Sequence, residues 1–290
     1  MNLVIDLKEL RKKDAPFIGG KATSLGKLIC AEINVPPGFV VTTLAFDFFA
    51  KENNLSLKIK KILSKINYKS IRSVGVSSKR IQSLINSAAI PKNISFEILE
   101  HYKKLNSKFV AVRSSATVED GAKNSWAGQF DSYLNVSSKD LLREIRQCLA
   151  SLYNTRAILY RFENKLNNKK IRMAVVIQEM VKSEMSGVAF SAHPITGNNN
   201  QIYIEAVHGL ADKLVSGLVT PHSYLVEKYP IKICKNSLSL RKQKLLNKSQ
   251  ILNLSKLIIK IEKYFGVKCD VEWALEKGKF YILQNRPITA

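Results

Sequence analysis

VRSSATVEDGAKNSWAGQFDSYLNV, residues 112–136, opens as a strand and turns abruptly polar. FVAV at 109–112 supplies the apolar run, which ends on Arg113, at the kind of strand end where α/β clefts open. A planar guanidinium there suits bidentate phosphate contact, and Ser114, Ser115 and Thr117 add short donors beside it. Gly128 removes a side chain where a backbone could approach a ligand closely, and Ser132 and Tyr133 follow on a strand-like stretch. Taken alone, the segment also reads as a polar surface loop with a structural arginine.

Upstream, PFIGGKATSLGKLICAEI at 16–33 breaks at Gly19-Gly20 and continues with Leu25, Leu28 and Ile29 at helical spacing. Lys21 therefore stands at the start of a helix, where free backbone N–H groups favour anions. VPPGFVVTTLAFDFFA adds a turn, a short strand and a helix capped by Thr42 or Thr43. Residues 51–107 are rich in Lys, Ile, Ser and Asn and read as solvated helices. Downstream, 137–162 reads as one long amphipathic helix with Leu141, Ile145, Leu149 and Leu152 along one side. MAVVIQEMV, SGVAFSAHP and QIYIEAVHGL are β-rich, and KSQILNLSKLIIKIEKYFG is a further helix with Ser249 as its expected cap. Strand groups interleaved with helices predict an α+β fold with mixed sheets in two lobes, about 1–178 and 179–290.

The chain of 290 residues is 46% apolar, long enough to bury a sizeable core. Its apolar runs are too short to span a bilayer, and its start lacks a continuous apolar signal segment, which predicts a cytoplasmic protein with no membrane partner. Cys30, Cys148, Cys234 and Cys269 form no C-x-x-C pair, and the four histidines do not stand at metal-ligand spacing beside them. A formal charge of +23 points toward polyanions. The lysines are spread over the whole length, however, and no R/G-rich tail, RNP-like motif or zinc-finger spacing is present, so nucleic acid is not the expected partner.

The C-terminal stretch CDVEWALEKGKFYILQNRP reads as two strands about a Lys-Gly turn. With a two-residue turn, Glu272 pairs with Leu283 and points away from Gln284. With a three-residue loop, Glu276-Lys277-Gly278 with Gly278 left-handed, Glu272, Ala274, Phe280, Ile282, Gln284 and Arg286 share one face. The second arrangement, the one expected here, gathers a carboxylate, an amide oxygen and a cation. The first two are hard ligands of the kind Mg²⁺ takes, and the arginine suits a phosphate.

Together these segments resemble the nucleotide-binding domain of the phosphoenolpyruvate synthase and pyruvate phosphate dikinase family, which includes rifampicin phosphotransferases. The resemblance runs through GGKATSLGKL, VPPGFVVT, residues 112–136, VVIQEMV, SGVAFSAHPITG, IEAVHGLADKLVSGLVTPHSYLV and VEWALEKGKFYILQNRPIT, in family order. It implies an ATP-grasp-like fold with the nucleotide in the cleft between two lobes. It implies that Lys21 and Arg113 grip phosphates, that Gly128 gives close backbone approach, and that Ser132 and Tyr133 lie along the nucleotide. Gln178 would seat the adenosine, Glu272 and Gln284 would hold Mg²⁺, and Arg286 would meet the terminal phosphate; Arg113 and Arg286 would be the catalytic cations.

In such enzymes the β-phosphoryl group of ATP passes to a histidine on a swivelling domain, which carries it to a third domain. Neither the histidine-swivel domain nor a phosphoenolpyruvate/pyruvate domain is recognisable in these residues, so the swivel partner is expected in trans or elsewhere in a longer protein. Where the family often has an acid, this chain has His193 and His222, and Gly121-Ala122 replaces the usual Leu-Pro. His208 stands where the family varies and reads as structural. The competing expectations are a degenerate nucleotide-binding sensor or scaffold without turnover, and a basic nucleic-acid binder on the same fold.

Overall fold

The computed structural model describes residues 2–117, 126, 128–166, 171–215, 217–234 and 245–288. The chain divides into two compact units, Met1–Gly26 with Pro37–Met180, and Lys27–Pro36 with Val181–Ala290. Residues 27–36, within the first lobe of the two-lobe expectation, cluster with the second unit.

The first unit is built on a five-stranded antiparallel sheet. Its strands are β1 (Val4–Asp6), β2 (Gly38–Val41), β3 (Val110–Ala116), β4 (Ser132–Val136) and β5 (Met173–Glu179), in the spatial order β1-β2-β5-β3-β4. The central strand β5 is buried almost throughout, which explains why MAVVIQE reads as a continuous apolar run without alternation. The helices are α1 (Ala15–Cys30, continuing past the boundary of the unit), α2 (Thr43–Glu52), α3 (Leu55–Leu63), α4 (Ile71–Ser87), α5 (Lys92–Leu105), α6 (Leu141–Ala150) and α7 (Thr155–Glu163). One face of the sheet, with Phe39, Val41, Val112, Val175 and Ile177, packs against Phe46, Phe49, Ile98, Ile145 and Leu149 from the helices. Each such fully buried side chain stabilises the fold by about 1.5–3 kcal/mol.

The single helix expected over 137–162 is two helices, joined by a 3₁₀ turn at Ser151–Tyr153. The break falls at Asn154, whose extended backbone (φ −66°, ψ 161°) and side-chain oxygen start α7 afresh by accepting from the Ala157 N–H. Periodicity alone carries across such a break because the apolar positions stay in phase.

The second unit holds a six-stranded antiparallel sheet. It comprises β6 (Met185–Phe190), β7 (Gln201–His208), β8 (His222–Lys228), β9 (Ile231–Ile233), β10 (Cys269–Glu276) and β11 (Lys279–Pro287), ordered β11-β10-β6-β7-β8-β9. A short α8 (Asp212–Val215) and the long α9 (Lys248–Phe265) complete it. α9 packs on β8, β9 and β10 through Ile251, Leu254, Ile258 and Ile261. Its cap is Asn247, not Ser249: Asn247 accepts from the Gln250 N–H while Gln250 reaches back to the Asn247 N–H, each at 2.9 Å. The buried Tyr224 hydroxyl accepts from the N–H groups of Leu245 and Leu246, anchoring the approach to α9. No helix among the described residues is long and apolar enough to cross a membrane.

Candidate functional site

In the first unit the Gly-Gly break and the Arg-Ser-Ser strand end are one construction. Gly19 adopts φ 73°, ψ 176°, a region closed to L side chains, and kinks α1 so that a new helical stretch begins behind it. A Cβ on Gly19 would lie 2.1 Å from the Ser115 carbonyl oxygen, so the kink presses directly on β3. The Ser115 hydroxyl donates to Ile18 O at 2.8 Å and accepts from the Ala22 N–H at 3.2 Å. Lys21 Nζ donates to Ser114 O at 2.9 Å, which places this cation within one residue of Arg113 along the strand.

Strand register decides which side chains meet. Arg113 pairs with Val176 on one side and Ser132 on the other, and Ala111 pairs with Gln178. Alternation then puts Arg113, Ser132 and the buried Gln178 on one face of the sheet, away from the Phe39–Val112–Ile177 core. Tyr133 pairs with Val112 and packs against that core, so its ring faces away from Arg113. Burial pushes its phenol well above the usual range, with Asp131 adding to the effect. The expectation that Tyr133 lies along the ligand with Ser132 is therefore corrected: adjacent residues on one strand present opposite faces.

Gly128 has φ 69°, and an added Cβ there would meet nothing within 4 Å among the described residues. The turn it opens is fixed on both sides. Before it, Trp126 is buried and stacks on Phe130 (centroids 5.2 Å apart) and against Tyr160 (4.6 Å). After it, Gln129 O accepts from Asn154 Nδ2 at 2.8 Å and Arg156 Nε at 3.1 Å, and Arg156 also pairs with Asp131. The Glu119-Asp120 pair and Gly121-Ala122 of the opening motif lie outside the described residues.

In the second unit the terminal hairpin departs from expectation in an instructive way. Glu276 pairs with Lys279, and Lys277 (φ 47°) and Gly278 (φ 76°) both adopt positive φ, so the turn has two residues and is of type I′. The three-residue loop is incorrect. Glu272 nevertheless stands directly opposite Gln284, because a bulge between the Trp273–Ile282 and Glu272–Gln284 pairs inserts Leu283 as an extra residue. Glu272, Ala274, Gln284 and Arg286 share one face as anticipated. Phe280 and Ile282 do not: they lie beyond the bulge on the Trp273 face, where the Phe280 and Trp273 rings meet edge-on, 5.6 Å apart.

Two acids on the Glu272 face escaped the sequence reading. Asp270 pairs in register with Arg286 and accepts from its Nε at 2.7 Å and Nη2 at 2.6 Å. Burial raises the Asp270 carboxyl above its ordinary range; Arg286 opposes that shift, and Glu272 adds to it. Glu205 follows across the sheet, since Val188 pairs with both Glu272 and Glu205. Its carboxyl is likewise raised by burial, with a hydrogen bond from Tyr203 opposing. Asp270 was legible in principle: at two residues before Glu272, strand alternation gives it the same face. Of the histidines, His193 Nδ1 accepts from the Ile195 and Thr196 N–H groups and closes its own turn, and His208 is exposed at the end of β7.

The donor set fits Mg²⁺. Glu272 and Gln284 offer one carboxylate and one amide oxygen side by side, and among the described residues no three His, Cys, Asp or Glu groups gather as a closed metal cage. Mg²⁺ commonly takes few protein ligands and completes its octahedron with water and phosphate oxygens.

An alpha-plus-beta chain with cations and hydroxyls on one sheet and a carboxylate–amide–arginine row on the other is of the nucleotide-binding class. The family model for the pyruvate phosphate dikinase AMP/ATP-binding domain matches residues 15–245 and 232–290, and the chain belongs to that family. A probable phosphoenolpyruvate synthase of Methanocaldococcus jannaschii is 37% identical over 318 residues, covering 100% of this chain and 27% of the relative. The rifampicin phosphotransferase of Bacillus cereus is 35% identical over 314 residues, covering 99% of this chain and 36% of the relative. The chain thus spans well under half the length of these curated relatives. The solved D-alanine–D-alanine ligase of Helicobacter pylori is 11% identical, with 68% of this chain and 46% of that chain covered and a TM-score of 0.34, a likeness too slight to bear on function.

Proposed function

We propose that this chain is the ATP-binding part of a dikinase-type phosphotransferase, of ATP-grasp type, that binds Mg²⁺-ATP and delivers the β-phosphoryl group to a histidine on a separate swivel domain, with water consumed, AMP released and the γ-phosphate leaving as inorganic phosphate. The observation that carries the reading is the bulge-set pairing of Glu272 with Gln284 beside Arg286, in a chain of this ATP-binding family. Lys21 and Arg113 hold phosphate oxygens, Gly128 brings backbone N–H groups close to them, Ser132 adds a hydroxyl, and Gln178 seats the adenosine. Glu272 and Gln284 would hold Mg²⁺, and Arg286, kept in place by Asp270, meets the terminal phosphate. Bound there, Mg²⁺ would neutralise phosphate charge. Phosphoryl transfer needs mainly positioning and charge stabilisation, so a site of cations and hard oxygens without a general base suits it.

The names of the relatives support a phosphotransferase, and their greater length is compatible with a swivel histidine and an acceptor site in domains other than this one, in trans or in a longer protein. A nucleotide sensor without turnover is the alternative; the joint retention of Lys21, Arg113, Glu272, Gln284 and Arg286 favours the enzyme. The discriminating experiment mixes the chain with a purified histidine-swivel domain from the same organism. Label from β-³²P-ATP on the added domain, with none from γ-³²P-ATP, is the expected result. Nucleotide binding without any transfer would establish the sensor instead.

A further inference from the structure

We propose that Asn154 is a positioning residue for the nucleotide: it holds the Gly128 turn in place while capping α7. The inference rests on the reading of Gly128 as a phosphate-contacting backbone and extends it to a side chain outside the motifs that carry the family resemblance.

The orientation of the Asn154 amide is fixed by its partners. The Ala157 N–H can only donate, so the atom facing it at 2.8 Å is Oδ1; the Gln129 carbonyl can only accept, so the atom facing it at 2.8 Å is Nδ2. One planar group therefore performs two tasks at opposite ends. The cap satisfies an orphan donor of the first turn of α7. The clamp grips the carbonyl one residue after Gly128 and three before Ser132, whose strand pairs with β3 at Arg113. Arg156 adds a second donor to the same carbonyl and ties down Asp131, so the turn is held from α7 on its C-terminal side and by the Trp126–Phe130 stack on the other. Among the described residues nothing lies within 4 Å of where a Gly128 side chain would begin. These flanking bonds hold the turn, and Asn154 joins it to the cap of α7 in one side chain, with Arg156 as a second tie from the same helix.

The two tasks separate by substitution, because a cap needs only an acceptor whereas the clamp needs a donor that reaches. Asn154→Asp keeps an acceptor for Ala157 and sets a carboxylate oxygen against the Gln129 carbonyl. Asn154→Ser keeps a cap of similar rank, adds no charge, and is too short to reach Gln129. The assay is calorimetric titration with Mg²⁺-ATP alongside thermal unfolding. Both variants should melt only a few degrees below the wild type, since Arg156 still donates to the Gln129 carbonyl, and both should bind Mg²⁺-ATP roughly three- to tenfold more weakly, the scale of one lost hydrogen bond. If both bind as the wild type does, Asn154 is only a cap and the proposal fails. If Asn154→Asp weakens binding and Asn154→Ser does not, added charge is the cause and the clamp fails too. If the wild type itself does not bind Mg²⁺-ATP, the nucleotide reading falls and takes this proposal with it, an outcome distinct from the other two.

Discussion

Replacing Gly19 with alanine tests whether the Gly-Gly-Lys break and the Arg-Ser-Ser strand end are one construction. The backbone at Gly19 (φ 73°, ψ 176°) costs an L residue about 1–3 kcal/mol. The new methyl would also sit 2.1 Å from Ser115 O, a backbone atom in a strand paired on both sides, so the kink must retreat. Retreat breaks the two bonds of the Ser115 hydroxyl and the Lys21–Ser114 bond, worth about 1 kcal/mol each. The sum is about 4–6 kcal/mol, which for a unit of this size lowers its melting midpoint by roughly 8–24 °C. The internal control is Gly75→Ala, in the interior of α4 with nothing within 4 Å of the added methyl, which should stabilise by about 0.5–1 kcal/mol. Circular dichroism melts of both variants, read with Mg²⁺-ATP titration of the folded Gly19→Ala protein, make the comparison. A Gly19→Ala midpoint within about 2 °C of the wild type would refute the reasoning, since no relaxation that small absorbs such a clash.

Three further outcomes are expected. Glu272→Gln removes one negative charge from the metal pair at constant shape, so Mg²⁺-ATP affinity should fall at least about tenfold while the melting midpoint holds; unchanged titration would exclude the pair as magnesium ligands. Arg286→Met strips the buried Asp270 of its counter-charge and should destabilise by about 3 kcal/mol near neutral pH. Because the folded Asp270 carboxyl is already raised by burial and rises further without Arg286, the stability it contributes is present below its unfolded pKa and lost as pH climbs through its folded pKa. The variant should therefore recover toward pH 4, and a penalty independent of pH between 4 and 7 would contradict this. Lys277→Asn places a residue suited to positive φ in the type I′ turn and should raise stability by about 0.5–1 kcal/mol in denaturant titration; a loss would argue against the two-residue turn.

What the sequence made legible was whatever depends on local chemistry. The Gly19-Gly20 break, the exit of Arg113 from an apolar strand and the hairpin partners Glu272 and Gln284 all announce themselves by residue type. What it concealed depends on register. Tyr133 looks like a companion of Ser132 until its pairing with Val112 assigns it to the core. The type I′ turn was missed because lysine is a poor signal for left-handed backbone, and the bulge at Leu283 because an extra strand residue has no compositional mark of its own. The two errors cancelled at Glu272 and Gln284 and did not cancel at Phe280 and Ile282. Asn154 shows a third kind of concealment: a cap inside an in-phase apolar pattern is invisible to periodicity.

The order of strands in the first sheet also sets a timetable for a chain emerging from the ribosome. β5 lies between β2 and β3, yet it is the last of the five to be made. At 5–20 residues per second, Gly38–Val41 waits on the order of ten seconds for Met173–Glu179, and Val110–Ala116 waits several. Through that interval two apolar strands have no partner on the edges that β5 will occupy, while α2 to α5 can form from contacts close in sequence. A nascent chain interrupted anywhere between 117 and 173 would carry those open edges permanently. Such a fragment should be an aggregating species or a chaperone client, and the sheet closes only when MAVVIQE arrives.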